Sequence, residues 1–147
     1  MASSPSKPLV WTLVALRLIV GVVFAYAGYL KLREPWALFA MGIDSYHLLP
    51  YNLVVLSART LPAVEVVLGL WLMAGFWPRL PSTVISLLLV VFFSAMLHAK
   101  LAGQQIDCGC FGTGDPISKW TLLRDGSLLA ASLAVTWFAF RRVPHKS

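Results

Sequence analysis

Residues Leu9 to Leu30 read LVWTLVALRLIVGVVFAYAGYL, a run broken by a single charge, Arg17. About 20 apolar residues suffice to cross a bilayer core as a helix. Three further runs meet that length: Tyr51 to Gly75, Leu80 to Ala102 and Thr121 to Phe140. None alternates polar with apolar as a barrel strand does, and lipid offers the backbone no hydrogen-bond partner, so each run is expected to be a helix. The expectation is an all-α integral membrane four-helix bundle formed as one domain over residues 1–147. Composition agrees: 59% of residues are hydrophobic, 12% are charged and the mean hydropathy is +0.77, which excludes an ordinary soluble domain.

The links between runs carry further information. Phe76 to Pro81 reads as a tight proline-bearing turn. Residues 35–46, beginning Pro35-Trp36-Ala37-Leu38, are apolar but too short to span, and are expected to lie in the membrane interface. Residues 103–119 form a polar loop on the same face. Four spans put both termini on one side, and Lys7, Arg141, Arg142 and Lys146 suggest that this side is cytoplasmic, although with Arg79 added they are balanced by Lys31, Arg33, Lys100, Lys119 and Arg124 opposite. Glu34, Asp44, Asp107, Asp115 and Asp125 fall on the loop side, so the formal charge of +6 is concentrated near the termini. The expected topology is therefore multi-pass, with both termini cytoplasmic and the 103–119 loop on the outer face. The basic balance is read as membrane topology and contact with anionic lipid, with no role for nucleic acid. Ala25-Tyr26-Ala27 resembles a signal-peptidase site, but the long preceding run with Arg17 inside it favours a retained helix.

Charges inside the spans demand partners. Arg17 lies about nine residues into the first run and Glu65 about ten from the end of the second, so a count from the helix ends puts them at one depth and predicts a structural ion pair. Arg17, Gly21, Ala25 and Gly28 share one stripe, and Ala58, Pro62, Glu65 and Gly69 another, marking two faces of small residues that allow close approach. Nearer the loop, Arg59, His98 and Asp125 are expected to converge in a polar cavity. His98 extends a row through Ser86, Val90 and Ser94, and Asp125 one through Ser132 and Thr136. There Arg59 or His98 would stabilise a thiolate or His98 would move its proton, and the alternative roles are snorkelling for Arg59 and helix capping for Asp125.

The thiolates in question belong to Asp107-Cys108-Gly109-Cys110-Phe111-Gly112, which holds both cysteines of the chain. Three roles stand side by side. A redox pair is favoured because so small a disulfide ring is strained and easily reduced, and Gly109 eases its backbone. A zinc or copper(I) site using Cys108, Cys110, His98 and Asp107 would need more than one C-x-C motif to be convincing, and no metal is assigned. A structural bridge gains little, because closing so short a loop removes little entropy.

Asp107 to Gly112, followed by Trp120 and Leu123-Arg124-Asp125, resembles the MauE family, which is related to the DoxX membrane proteins. Leu16-Arg17, Gly21, Ala27-Gly28 and Lys31-Leu32 resemble the DoxX-type first helix, and Pro62, Glu65 and Gly69 the second. The resemblance implies a four-helix membrane protein linked to maturation of methylamine dehydrogenase, helping to form its disulfides beside a thioredoxin-like partner. It also implies a bacterial inner membrane as the location, with the 103–119 loop periplasmic or extracellular. The resulting expectation is a disulfide oxidoreductase-type protein whose Cys108 and Cys110 exchange electrons with a periplasmic thioredoxin-like protein or substrate thiols. A single dithiol cannot relay electrons internally, so an external acceptor is required. Quinone is the candidate, with Tyr26, Tyr29, Phe39 and Phe111 either lining its pocket or serving as interfacial anchors. The alternative is a non-enzymatic scaffold or metal-binding subunit that assembles through the Pro35 to Gly42 segment and the small-residue faces.

Overall fold

A computed structural model describes residues 6–106 and 116–141. It contains five helices: α1 (Lys7–Arg33), α2 (Trp36–Asp44), α3 (Tyr51–Ala74), α4 (Arg79–Leu101) and α5 (Lys119–Arg141). No strand occurs among the described residues. All but α2 are long and apolar enough to cross a membrane. Punctuation sets their ends. α3 stops at Gly75, whose φ of 84° suits a residue without a β-carbon, and a short turn through Phe76 and Trp77 leads to α4.

The spanning helices form a ring in which α1 packs on α3, α3 on α4, α4 on α5, and α5 on α1. Leu13 and Val14 of α1 meet Phe138 and Ala139 of α5 around one cavity, so the chain enters and leaves the bundle at the same end. Val20, Phe24, Leu68, Leu72, Ile85, Leu89 and Val135 fill its centre. Phe39 and Ala40 of α2 join Val54 and Ala58 of α3 in a second, smaller core.

α1 and α3 make the most extensive contact, and small residues are the cause. A β-carbon at Gly69 would lie 2.5 Å from the Gly21 carbonyl oxygen and 2.6 Å from the Ala25 nitrogen. One at Gly28 would lie 2.6 Å from the Pro62 carbonyl oxygen. The two backbones therefore touch, as expected where lipid supplies no hydrophobic drive between helices and packing must hold them.

This contact also fixes register. Gly21 faces Gly69 and Met73, and Gly28 faces Pro62 and Val66, which puts Ala27 opposite Glu65 and Arg17 opposite Gly75. α1 thus overhangs α3 at the terminal end by ten residues, about 15 Å. At the other end α3 runs past α1, and α2 folds back to cover it.

The stagger corrects the expected Arg17–Glu65 pair. Counting each residue from its own helix end assumed flush ends, whereas the overhang moves Arg17 to the end of α3. Glu65 pairs instead with Lys31.

Gly69→Ala is expected to lose about 1–3 kcal/mol through overpacking against Gly21 and Ala25. Gly42→Ala, in α2 with nothing within 4 Å of the new methyl, is expected to be neutral or to gain up to about 1 kcal/mol. Reversible unfolding in mixed micelles measures both.

Candidate functional site

Lys31 sits in the last turn of α1 and Glu65 midway along α3. Helical side chains lean toward their own N-terminus, so in antiparallel helices these two lean toward each other. The Lys31 ammonium donates to both Glu65 carboxylate oxygens at 2.8 Å, and both residues are buried. Phe39 of α2 and Phe92 of α4 flank the same ammonium, with ring centroids at 5.0 and 5.7 Å. Four helices thus surround one cation.

Beside the pair lies a cavity of about 20 Å³, enough for about one water, lined by Phe24, Ala27, Lys31, Glu65, Phe92 and Asp125 among others. Asp125 is buried and accepts a 3.2 Å bond from the half-exposed Arg124. The interior charges at this level are therefore Lys31, Glu65 and Asp125. Lys31, one residue past the first apolar run and counted among the loop-side cations, lies inside the bundle. Its signal lay in the stripe Val20, Phe24, Ala27, Lys31, all buried on one face of α1.

The expected convergence of Arg59, His98 and Asp125 is not observed. Of the three, only Asp125 is interior. Arg59 follows the buried Ala58 by one residue, about 100° around the helix, and lies exposed with its guanidinium 4.4 Å from the Trp36 ring centroid. His98 is exposed because a row spaced strictly by four advances about 40° per step and has left the buried face after three steps. The buried face of α4 follows Ser82, Ile85, Ser86, Leu89, Met96 and Ala99 instead. On α5 the row expected to face inward does so: Ser86 is 3.1 Å from the Ser132 hydroxyl and 3.0 Å from that of Thr136.

Cys108 and Cys110, with Asp107 and Phe111, lie outside the described residues. Their flanks carry specific hydrogen bonds. α4 ends with Gly103 at φ 75°, its N–H bonded to the Lys100 carbonyl and that of Gln104 to Ala99, the 5→2 and 6→1 pattern of a glycine-capped helix end. α5 begins with Ser118 accepting a 3.2 Å bond from the Thr121 N–H, and the buried Thr121 hydroxyl donates to the Pro116 carbonyl at 3.0 Å. Between these caps the Ile117 N–H donates to the Ile106 carbonyl at 3.1 Å, closing the base of the segment that bears the cysteines.

Tyr26 and Tyr29 are about half exposed on the outer surface, whereas Phe39 is buried against Lys31. Phe39 and Phe92 also wall an apolar cavity of about 150 Å³ between α2 and α4, with Ile43, Leu49 and Val91.

The family model described as "Methylamine utilisation protein MauE" matches residues 9–138, from the first span to the last. The chain belongs to the MauE family. "Methylamine utilization protein MauE" of Paracoccus denitrificans is 32% identical over 138 residues, covering 92% of this chain and 73% of that protein. No solved structure matches. Family membership together with the four apolar spans makes this MauE-family chain a multi-pass membrane protein.

Removing one partner of the buried pair strands the other charge. Glu65→Leu or Lys31→Met alone is expected to lose about 3–5 kcal/mol, and the double substitution to recover most of it. A double-mutant cycle on unfolding free energies checks this.

Proposed function

We propose that this chain is a membrane thiol-disulfide exchange protein whose Cys108 and Cys110 work with a thioredoxin-like partner during maturation of disulfide-containing proteins. The observation that carries the proposal is the placement of both cysteines of the chain within one short segment whose ends are pinned together between two capped helices. Connections anchored on a helical scaffold are where reactive groups commonly meet partner proteins, so a cysteine pair in such a connection suits exchange with a second protein. The family's description supports methylamine utilisation as the setting, and methylamine dehydrogenase is the matured protein that the family resemblance implies.

The chemistry balances as ordinary exchange. One cysteine thiolate attacks a disulfide sulfur of the partner, forming a mixed disulfide and releasing the partner's other sulfur as a thiolate. The second cysteine thiolate then attacks the mixed bond, leaving an intramolecular Cys108–Cys110 disulfide and the partner as a dithiol. Two electrons have moved to the partner, and the same steps run backwards oxidise it. A membrane acceptor of the quinone class would reset the oxidised state. The apolar, aromatic-walled cavity between α2 and α4 is a candidate place for its ring. The bland alternative is a scaffold that assembles through α2, whose Trp36, Leu38 and Met41 are exposed.

Cys108→Ser and Cys110→Ser, each tested singly with a thioredoxin-like protein from the same gene neighbourhood, are expected to abolish turnover, one of them while accumulating a mixed disulfide on non-reducing gels. Wild-type rates of thiol oxidation in both variants would leave the scaffold as the surviving reading.

A further inference from the structure

Arg17 is the charge that the Lys31–Glu65 pair leaves unanswered. Its guanidinium lies against Gly75, where a β-carbon would come within 3.1–3.2 Å of its terminal atoms, so the glycine provides the space it occupies. Its Nε is buried with no hydrogen-bond partner. A buried donor of a charged group left unpaired is costly, which points to a counter-group supplied from elsewhere.

Among the described residues no carboxylate side chain lies there. The six acidic residues of the chain are Glu34, Asp44, Glu65, Asp107, Asp115 and Asp125. Glu65 is committed to Lys31, Glu34, Asp44 and Asp125 lie toward the opposite end of the bundle, and Asp107 and Asp115 fall outside the described residues. At the Arg17 end the sequence supplies more cations, Arg79 and Arg141 among them.

Arg17 also lines a cavity of about 70 Å³, walled by Leu13 and Val14 of α1, Pro78 of the α3–α4 turn, and Val135, Phe138 and Ala139 of α5. That is more room than a single water needs. The register places it level with the α3–α4 turn, where Phe76 and Trp77 are exposed, and Trp137 and Phe140 are exposed on the adjoining end of α5. Exposed aromatics of this kind mark the height of lipid headgroups. Arg79 lies over the Phe140 ring at 5.6 Å and Arg141 over Trp137 at 4.7 Å, completing a basic, aromatic rim.

We propose that this cavity binds the phosphate of an anionic phospholipid, with the Arg17 guanidinium as its ligand. A guanidinium presents several N–H groups in a planar fork that suits phosphate oxygens. The apolar walls of Leu13, Val14, Val135 and Phe138 suit the acyl chains that a soluble anion lacks. Arg17 leans toward the N-terminus of α1, so the side chain reaches for the headgroup layer on the terminal side.

Native mass spectrometry of the detergent-purified chain tests this, using dioleoyl-phosphatidylglycerol and dioleoyl-phosphatidylcholine as probes. The wild type is expected to retain the phosphatidylglycerol at least tenfold better. Arg17→Gln should lose that preference while Lys100→Gln, an exposed residue at the opposite end, keeps it. Equal retention of both lipids by the wild type overturns the proposal, as does unchanged phosphatidylglycerol binding in an Arg17→Gln variant that keeps its helical circular dichroism. Displacement of the lipid by millimolar inorganic phosphate would also overturn it, by revealing a soluble-anion site. Should Arg17→Gln fail to fold, a photoreactive phosphatidylglycerol on the wild type decides. Adducts on Leu13, Val14, Phe138 or Ala139 support the site, and adducts confined to other segments overturn it.

Discussion

The close contact of α1 with α3, backbone against backbone at Gly21, Gly28 and Gly69, is the constraint from which most of the structure follows. In lipid, apolar side chains gain little by leaving one hydrocarbon for another, so helices hold together where their shapes allow dense packing. Here small residues do that, and they leave the two helices only one register. That register slides α1 toward the terminal end, brings Lys31 to Glu65, and exposes a length of α3 that α2 must cover.

The α4–α5 hairpin is held by other means. Ser86, Ser132 and Thr136 form a chain of hydroxyl contacts where the first pair of helices uses glycine. Such hydroxyls bridge helices without burying charge. The cysteine-bearing segment springs from this hairpin, and its anchoring at Ile106 and Ile117 is local to it. The bundle thus divides its labour: α1 and α3 hold the Lys31–Glu65 pair and set the geometry, while α4 and α5, with Asp125 as their own buried charge, carry the loop.

How far the sequence foretold this depends on the kind of signal. Apolar length is a one-dimensional property, and the four spans were legible from it. The small-residue faces were legible too, since Gly21, Gly28, Pro62 and Gly69 recur at helical spacing and lie at the contact observed. Depth was not. Arg17 and Glu65 appear level only if the helix ends are flush, and the stagger is a product of packing that no single helix encodes. Direction failed for His98 because rows spaced strictly by four drift around the helix, while the alternating spacing of Ser82, Ile85, Ser86 and Leu89 stays on one face. Lys31 was passed over because a lysine at the end of a span ordinarily points to the headgroups.

The pairing of Lys31 with Glu65 also bears on how such a chain is made. A carboxylate midway along a span raises the cost of inserting that helix by about 2.5–3.5 kcal/mol. Lys31 precedes Glu65 by 34 residues and leaves the ribosome first, on a helix whose apolar 18-residue stretch has a mean hydropathy of 2.2 against 1.8 for that of α3. The more readily inserted segment therefore waits in the membrane with the counter-charge, and its glycine face is ready to receive α3 as it arrives. The order of the helices along the chain thus puts the counter-charge of an acidic span ahead of that span in synthesis.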